Sequence, residues 1–86
     1  MPELCRFYGI IIRMYYDDHL PPHFHALYDK HEALVGIDTL ARIEGRLPPR
    51  AMGLVTEWAA QHQNELSEAW RRAKNLEPPG KIEPLA

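Results

Sequence analysis

Apolar and polar positions change their spacing once along the chain. From Phe7 to Glu44 apolar residues come in short runs separated by polar or Gly/Pro breaks, the pattern of strands and turns. From Ala51 to Ala73 they recur at three- and four-residue steps, the pattern of one helical face. Strands followed by a helix predict a small α+β domain, with a sheet over about residues 6–45, a helix over about 49–73 and an extended tail over 76–86.

Phe7 to Tyr16 is rich in aromatic and β-branched residues and ends at Asp17-Asp18, which reads as the first strand. Three isoleucines in a row, Ile10 to Ile12, place apolar groups on both of its faces, so it is a central strand or one covered by a partner. Leu20-Pro21-Pro22 is a loop, because two prolines lack ladder donors. His23 to Tyr28 and Glu32 to Ile37 form a hairpin about Asp29-Lys30-His31, and Leu40 to Glu44, ending at Gly45, is a short fourth run. The expected sheet is therefore an antiparallel meander of three to four strands, the fourth being an edge.

Pro48 and Pro49 suit a helix start, where the missing donor costs nothing. Ala51, Val55, Trp58, His62, Leu66, Ala69 and Ala73 make the apolar face of one long amphipathic helix, widened by Met52, Leu54, Ala59 and Trp70. Gly53 inside it suggests close packing of the helix backbone on the sheet. Pro78-Pro79-Gly80 ends any helix, and the tail is either a frayed end or an extended segment that docks through Ile82 and Leu85 on this sheet or on another protein.

Length, composition and charge narrow the classes. At 86 residues there is room for one core, and 45% hydrophobic with 26% charged residues is ordinary for a globular domain. The single cysteine, Cys5, has no partner for an internal disulfide, which fits a reducing, cytoplasmic compartment. No apolar run is long enough to span a membrane, and no signal peptide is evident. A net charge of −2 gives no overall attraction for nucleic acid, although Arg42, Arg46 and Arg50 offer a weak basic patch near the helix start. Tyr8, Tyr15, Tyr16 and Tyr28 are better read as core or sheet-face packing than as a base-stacking platform.

Only Asp17-Asp18-His19-Leu20-Pro21-Pro22-His23-Phe24-His25 carries chemistry beyond what folding requires. On a strand His23 and His25 share one face while Phe24 points the other way into a core, and His19 can return to them across the proline turn. Three readings are open. The first and plainest is hydrogen bonding that fixes the Pro-Pro loop. The second is a divalent transition ion, zinc before nickel or iron, held by His19, His23, His25 and Asp18. The third is acid–base or anion-binding work by the imidazoles. Neither Cys5 nor Ser67 has the setting of a nucleophile, so hydrolysis by water activated on histidine or metal is the enzymatic class retained.

Arg6-Phe7-Tyr8-Gly9-Ile10-Ile11-Ile12-Arg13-Met14-Tyr15 and Asp18-His19-x-Pro21-Pro22-His23-Phe24-His25 resemble the bacterial domain-of-unknown-function 4160 family, as do Ile43-Glu44-Gly45-x-Leu47-Pro48, Glu57-Trp58-Ala59, the helix end near Trp70, and Ile82-Glu83-Pro84-Leu85. The resemblance covers nearly the whole chain and carries no established activity. It implies a toxin-antitoxin-like or other two-gene pair. With the two-faced first strand and the apolar tail, that favours an interaction module, homodimeric or paired with a small operon-encoded protein, over a His- or metal-dependent hydrolase, RNA-directed in one version, and over a small nucleic-acid-binding regulator.

Overall fold

The computed structural model describes residues 2–86. Five strands, β1 (Glu3–Phe7), β2 (Ile10–Arg13), β3 (His23–Tyr28), β4 (His31–Gly36) and β5 (Arg42–Arg46), pair antiparallel in sequence order. Two helices follow, α1 (Pro49–Gln61) and α2 (Gln63–Lys74). The α+β class and the meander agree with the sequence, while the count of three to four strands and the single long helix do not.

The extra strand comes from a turn inside what reads as one strand. Tyr8 and Gly9 both take positive φ, 50° and 81°, so the chain reverses there and Phe7 pairs with Ile10. Two successive positive-φ residues match the twist of a two-residue hairpin, and glycine at the second position adopts it without steric cost. β2 then stops at Arg13, three residues before the expected end. Cys5, which reads as preceding the sheet, lies within β1.

The helix breaks at His62, whose φ of −131° and ψ of 25° are not helical. Its N–H donates to the Ala59 carbonyl, its carbonyl accepts from the Leu66 N–H, and the Gln63 side chain donates to the Ile37 carbonyl at 2.9 Å, pinning the bend to the end of β4. Periodicity does not register the break, because the buried positions continue across it: Ala51, Val55, Trp58 and Ala59 on α1, then Leu66, Ala69, Trp70 and Ala73 on α2. No helix among the described residues is long and apolar enough to cross a membrane.

The core lies between the helices and one face of the sheet. Phe7, Ile10, Ile12, Phe24, Ala26, Ala33 and Val35 are buried there, and Trp58 stands edge-on to Phe24 with ring centroids 5.7 Å apart. The tail completes it. The Ile82 N–H donates to the Leu4 carbonyl at β1, Trp58 Nε1 donates to the Glu83 carbonyl at 2.8 Å, Ile82 is buried and Leu85 packs half-buried against the core.

Two glycines make opposite predictions. At Gly45, φ is +75° and a Cβ would collide with the Glu32 carbonyl oxygen across the β4–β5 ladder. Gly45→Ala is expected to cost about 2 kcal/mol or more, read as a lower denaturant midpoint. Gly53, in contrast, is exposed and a Cβ there meets nothing, so the expected close packing on the sheet is absent. Gly53→Ala is expected to raise stability by about 0.5–1 kcal/mol in the same assay.

Candidate metal centre

The loop between β2 and β3 is held at both ends before it supplies any ligand. Met14 is fully buried, the Asp17 N–H donates to the Ala73 carbonyl at the end of α2, and Lys74 Nζ reaches both the Asp18 carbonyl and the Asp17 carboxylate at 3.1 Å. On the other side the Pro22 carbonyl accepts from the Ile37 N–H. Asp18 is thereby fixed over the start of β3, and strand alternation turns His23 and His25 to its side, away from Phe24.

Three ligand-type atoms converge. Asp18 Oδ2 is 3.0 Å from His23 Nε2 and 3.0 Å from His25 Nε2, and one donor atom from each of the three residues lies within 4.8 Å of the others. His23 is 1% exposed and His25 6%. Tyr15 stacks on the His25 ring at 4.1 Å, and the Trp70 ring centre is 5.3 Å from that of His23. His19 is set apart: its Nδ1 and its backbone N–H both address Asp18 Oδ1, and its side chain is 70% exposed. Of the four residues that read as ligands, the structure brings Asp18, His23 and His25 together and leaves His19 at the rim.

The outer ring nitrogens are engaged as well. His23 Nδ1 lies 2.7 Å from the Pro21 carbonyl oxygen, and His25 Nδ1 lies 2.9 Å from Glu32 Oε2. Both partners are acceptors, so both Nδ1 atoms must carry hydrogens. Nε2 of each ring then faces a carboxylate oxygen either as a second N–H, which makes the ring a cation, or as a lone pair, which requires a positive ion in between. The cluster thus calls for two protons or one divalent cation. Partial burial pushes the Asp18 carboxyl up, but the His25 hydrogen bond, the His19 amide and the charges at His23 and His25 outweigh it and bring it down to about 2.

Glu32 is the residue that sequence reading missed. Its signal was present: a turn at Asp29-Lys30 pairs Leu27 with Glu32, which sets Glu32 diagonally beside His25 on the same face. Tyr15 and Trp70 become neighbours only through the loop path and the bend between the helices.

The remaining candidates are dispersed. Arg42 donates to the Gly45 carbonyl of its own strand, Arg46 stands opposite Glu32 in the ladder, and Arg50 lines a cleft of about 540 Å³ with Tyr8, Tyr28 and Leu85. Tyr8 and Tyr16 are exposed, unlike the packed tyrosines expected from sequence. Cys5 is buried, and burial, with a contribution from Glu3, pushes its thiol up to about 12. It is expected to resist iodoacetamide at mildly alkaline pH and to react at once in denaturant, as mass spectrometry would show.

In comparison with known families, the model of a family described as Domain of unknown function (DUF4160) matches residues 9–71, which include the whole cluster. No curated protein and no solved structure matches the chain.

Proposed function

Starting from the fact that the chain belongs to the family described as Domain of unknown function (DUF4160), we propose that it is a metal-binding domain that holds one divalent transition ion on Asp18 Oδ2, His23 Nε2 and His25 Nε2. The observation that carries this reading is the orientation of the two rings. Each outer nitrogen donates to a fixed acceptor, the Pro21 carbonyl or the Glu32 carboxylate, which leaves both inner nitrogens directed at one carboxylate oxygen. Metal-ligating histidines are oriented in this way by their outer partners. Nitrogen–oxygen separations of 3.0 Å are shorter than the about 3.4 Å between tetrahedral ligands of an ion bound at about 2.1 Å, so the ligand atoms would move apart by a few tenths of an ångström to admit it. A single divalent ion supplies at one point the charge that two buried imidazolium rings would otherwise bring, and leaves the rings neutral, the form that ligates.

Two nitrogens and one oxygen suit zinc. The deep burial of the histidines supports a structural ion, whose fourth ligand would be exposed His19 only after its side chain turned away from Asp18 Oδ1. A hydrolytic role would leave that fourth position to water, whose acidity a zinc ion raises to near neutrality. The pairing implied by family resemblance loses one of its two supports, because the apolar tail is engaged within the chain.

The test is calorimetric titration of chelator-treated, tag-free protein with zinc, repeated in buffers of different ionisation enthalpy. One ion per chain is expected, with proton release that grows as the starting pH is lowered, and a raised melting temperature. At a free zinc concentration about 100 times Kd the added stability is about 2.7 kcal/mol. Absence of saturable binding, or binding without proton exchange at any pH, sinks the reading.

A further inference from the structure

The last turn of α2 is closed against the preference of its own residues. The Glu77 N–H donates to the Arg72 carbonyl at 2.8 Å and the Leu76 N–H to the Ala73 carbonyl at 3.0 Å, the pair of bonds that ends a helix through one left-handed residue. That residue is Leu76, with φ of 61°, at a position where glycine is the residue that fits. An apolar contact across the longer bond commonly reinforces such a cap, but here its ends are Arg72 and Glu77. The Leu76 side chain itself is 69% exposed.

Support for the turn comes instead from the β2–β3 loop. The Ala73 carbonyl accepts a second bond, from the Asp17 N–H at 3.0 Å, and Lys74 Nζ reaches the Asp17 carboxylate and the Asp18 carbonyl, both at 3.1 Å. One turn back along α2, the Trp70 ring packs against His23. The end of α2 is thus in contact with two of the residues that the ion would join, Asp18 and His23. Beyond the turn the tail has anchors of its own in buried Pro79 and in Ile82, whose N–H donates to the Leu4 carbonyl.

We infer that ion binding and closure of this turn are coupled, so that the conformation of residues 72–77 regulates the metal site. The inference rests on the metal reading. With the ion in place Asp18 is tied to β3, its neighbour Asp17 is presented to the Ala73 carbonyl, and the left-handed turn is held shut. Without the ion that tie is lost, and a turn that its own residues do not favour opens more often. Linkage makes the effect reciprocal: whatever closes the turn raises affinity for the ion, and whatever opens it lowers affinity by the same factor.

Zinc titration of chelator-treated, tag-free protein substituted at Leu76 tests this, because that side chain lies outside the cluster. Leu76→Gly removes the penalty of the left-handed backbone and is expected to tighten zinc binding by about three- to tenfold. Leu76→Val, β-branched and less able to adopt that backbone, is expected to weaken it by about the same factor. Melting temperatures show that both variants fold. In the wild type, native-state hydrogen exchange at one pH is expected to show zinc slowing local opening at Leu76 and Glu77 by about tenfold, with local opening at Ile82 unchanged. Zinc that binds the wild type and both variants with affinities within about twofold overturns the coupling and leaves the metal site standing. So does binding without slower opening at Leu76 and Glu77. A wild-type chain with no saturable zinc binding overturns both.

Discussion

Asp18→Asn is expected to reduce zinc affinity by more than a hundredfold. Asp18 is the one acid that both inner nitrogens address, and an amide offers neither its charge nor its ligand strength. The loss should exceed that of Glu32→Gln, which disturbs only the outer nitrogen of His25 and is expected to cost about tenfold to a hundredfold while keeping one ion per chain. The same substitution should change acid unfolding. Because the Asp18 carboxyl is held at about 2, below its unfolded value, its contribution to stability is complete above about pH 4 and is lost as pH falls toward 2. Asp18→Asn should lack that part of the acid transition. Competition titration with a zinc chromophore and circular dichroism against pH measure the two effects. Unchanged zinc affinity in the variant would place the ion elsewhere.

Trp58→Ala is expected to be the most damaging single substitution in the core, at about 3–5 kcal/mol of the roughly 5–15 kcal/mol that hold a small domain together. The ring is fully buried between Phe7 and Phe24, and its Nε1 carries the tail through the Glu83 carbonyl. Two consequences should therefore appear together: a large fall in the denaturation midpoint, and release of the segment around Ile82. Limited proteolysis under native conditions should cut the variant near Lys81 while sparing the wild type. A variant that loses stability yet keeps its tail protected would show that Ile82 and the bonds at β1 suffice to hold it.

Loss of the tail would reach the sheet edge, because Lys81 Nζ and the Ile82 N–H serve carbonyls of β1. The opposite edge is guarded differently. On β5 the Arg42 guanidinium donates to the Gly45 carbonyl, occupying a main-chain acceptor beside the outermost strand. The open surface is thus the sheet face rather than its edges.

Much of the fold is visible in local pattern. The helical face from Ala51 to Ala73 is buried as its spacing indicates, and the hairpin about Asp29-Lys30 lies where its polar pair falls. The misreadings share a cause. Tyr8-Gly9 looks like strand because tyrosine favours strands, yet two positive φ angles turn the chain there. His62 looks like a helical position because its spacing fits, yet a side-chain bond from Gln63 to Ile37 anchors a bend. In each case a contact or backbone state at one residue overrides a preference averaged over several.

Alternation along a strand was enough to put His23 and His25 on one side and Phe24 on the other, and the run of apolar spacing was enough to separate sheet from helix, since both follow from the repeat of a single element. Which aspartate meets the two rings, and that His19 remains outside while Glu32 enters, was decided by the anchoring of the loop to Ala73, Lys74 and Ile37, groups brought near only when the helices close over the sheet. Convergence of donor atoms on one point depends on distances between elements, and those are set by packing across the whole molecule.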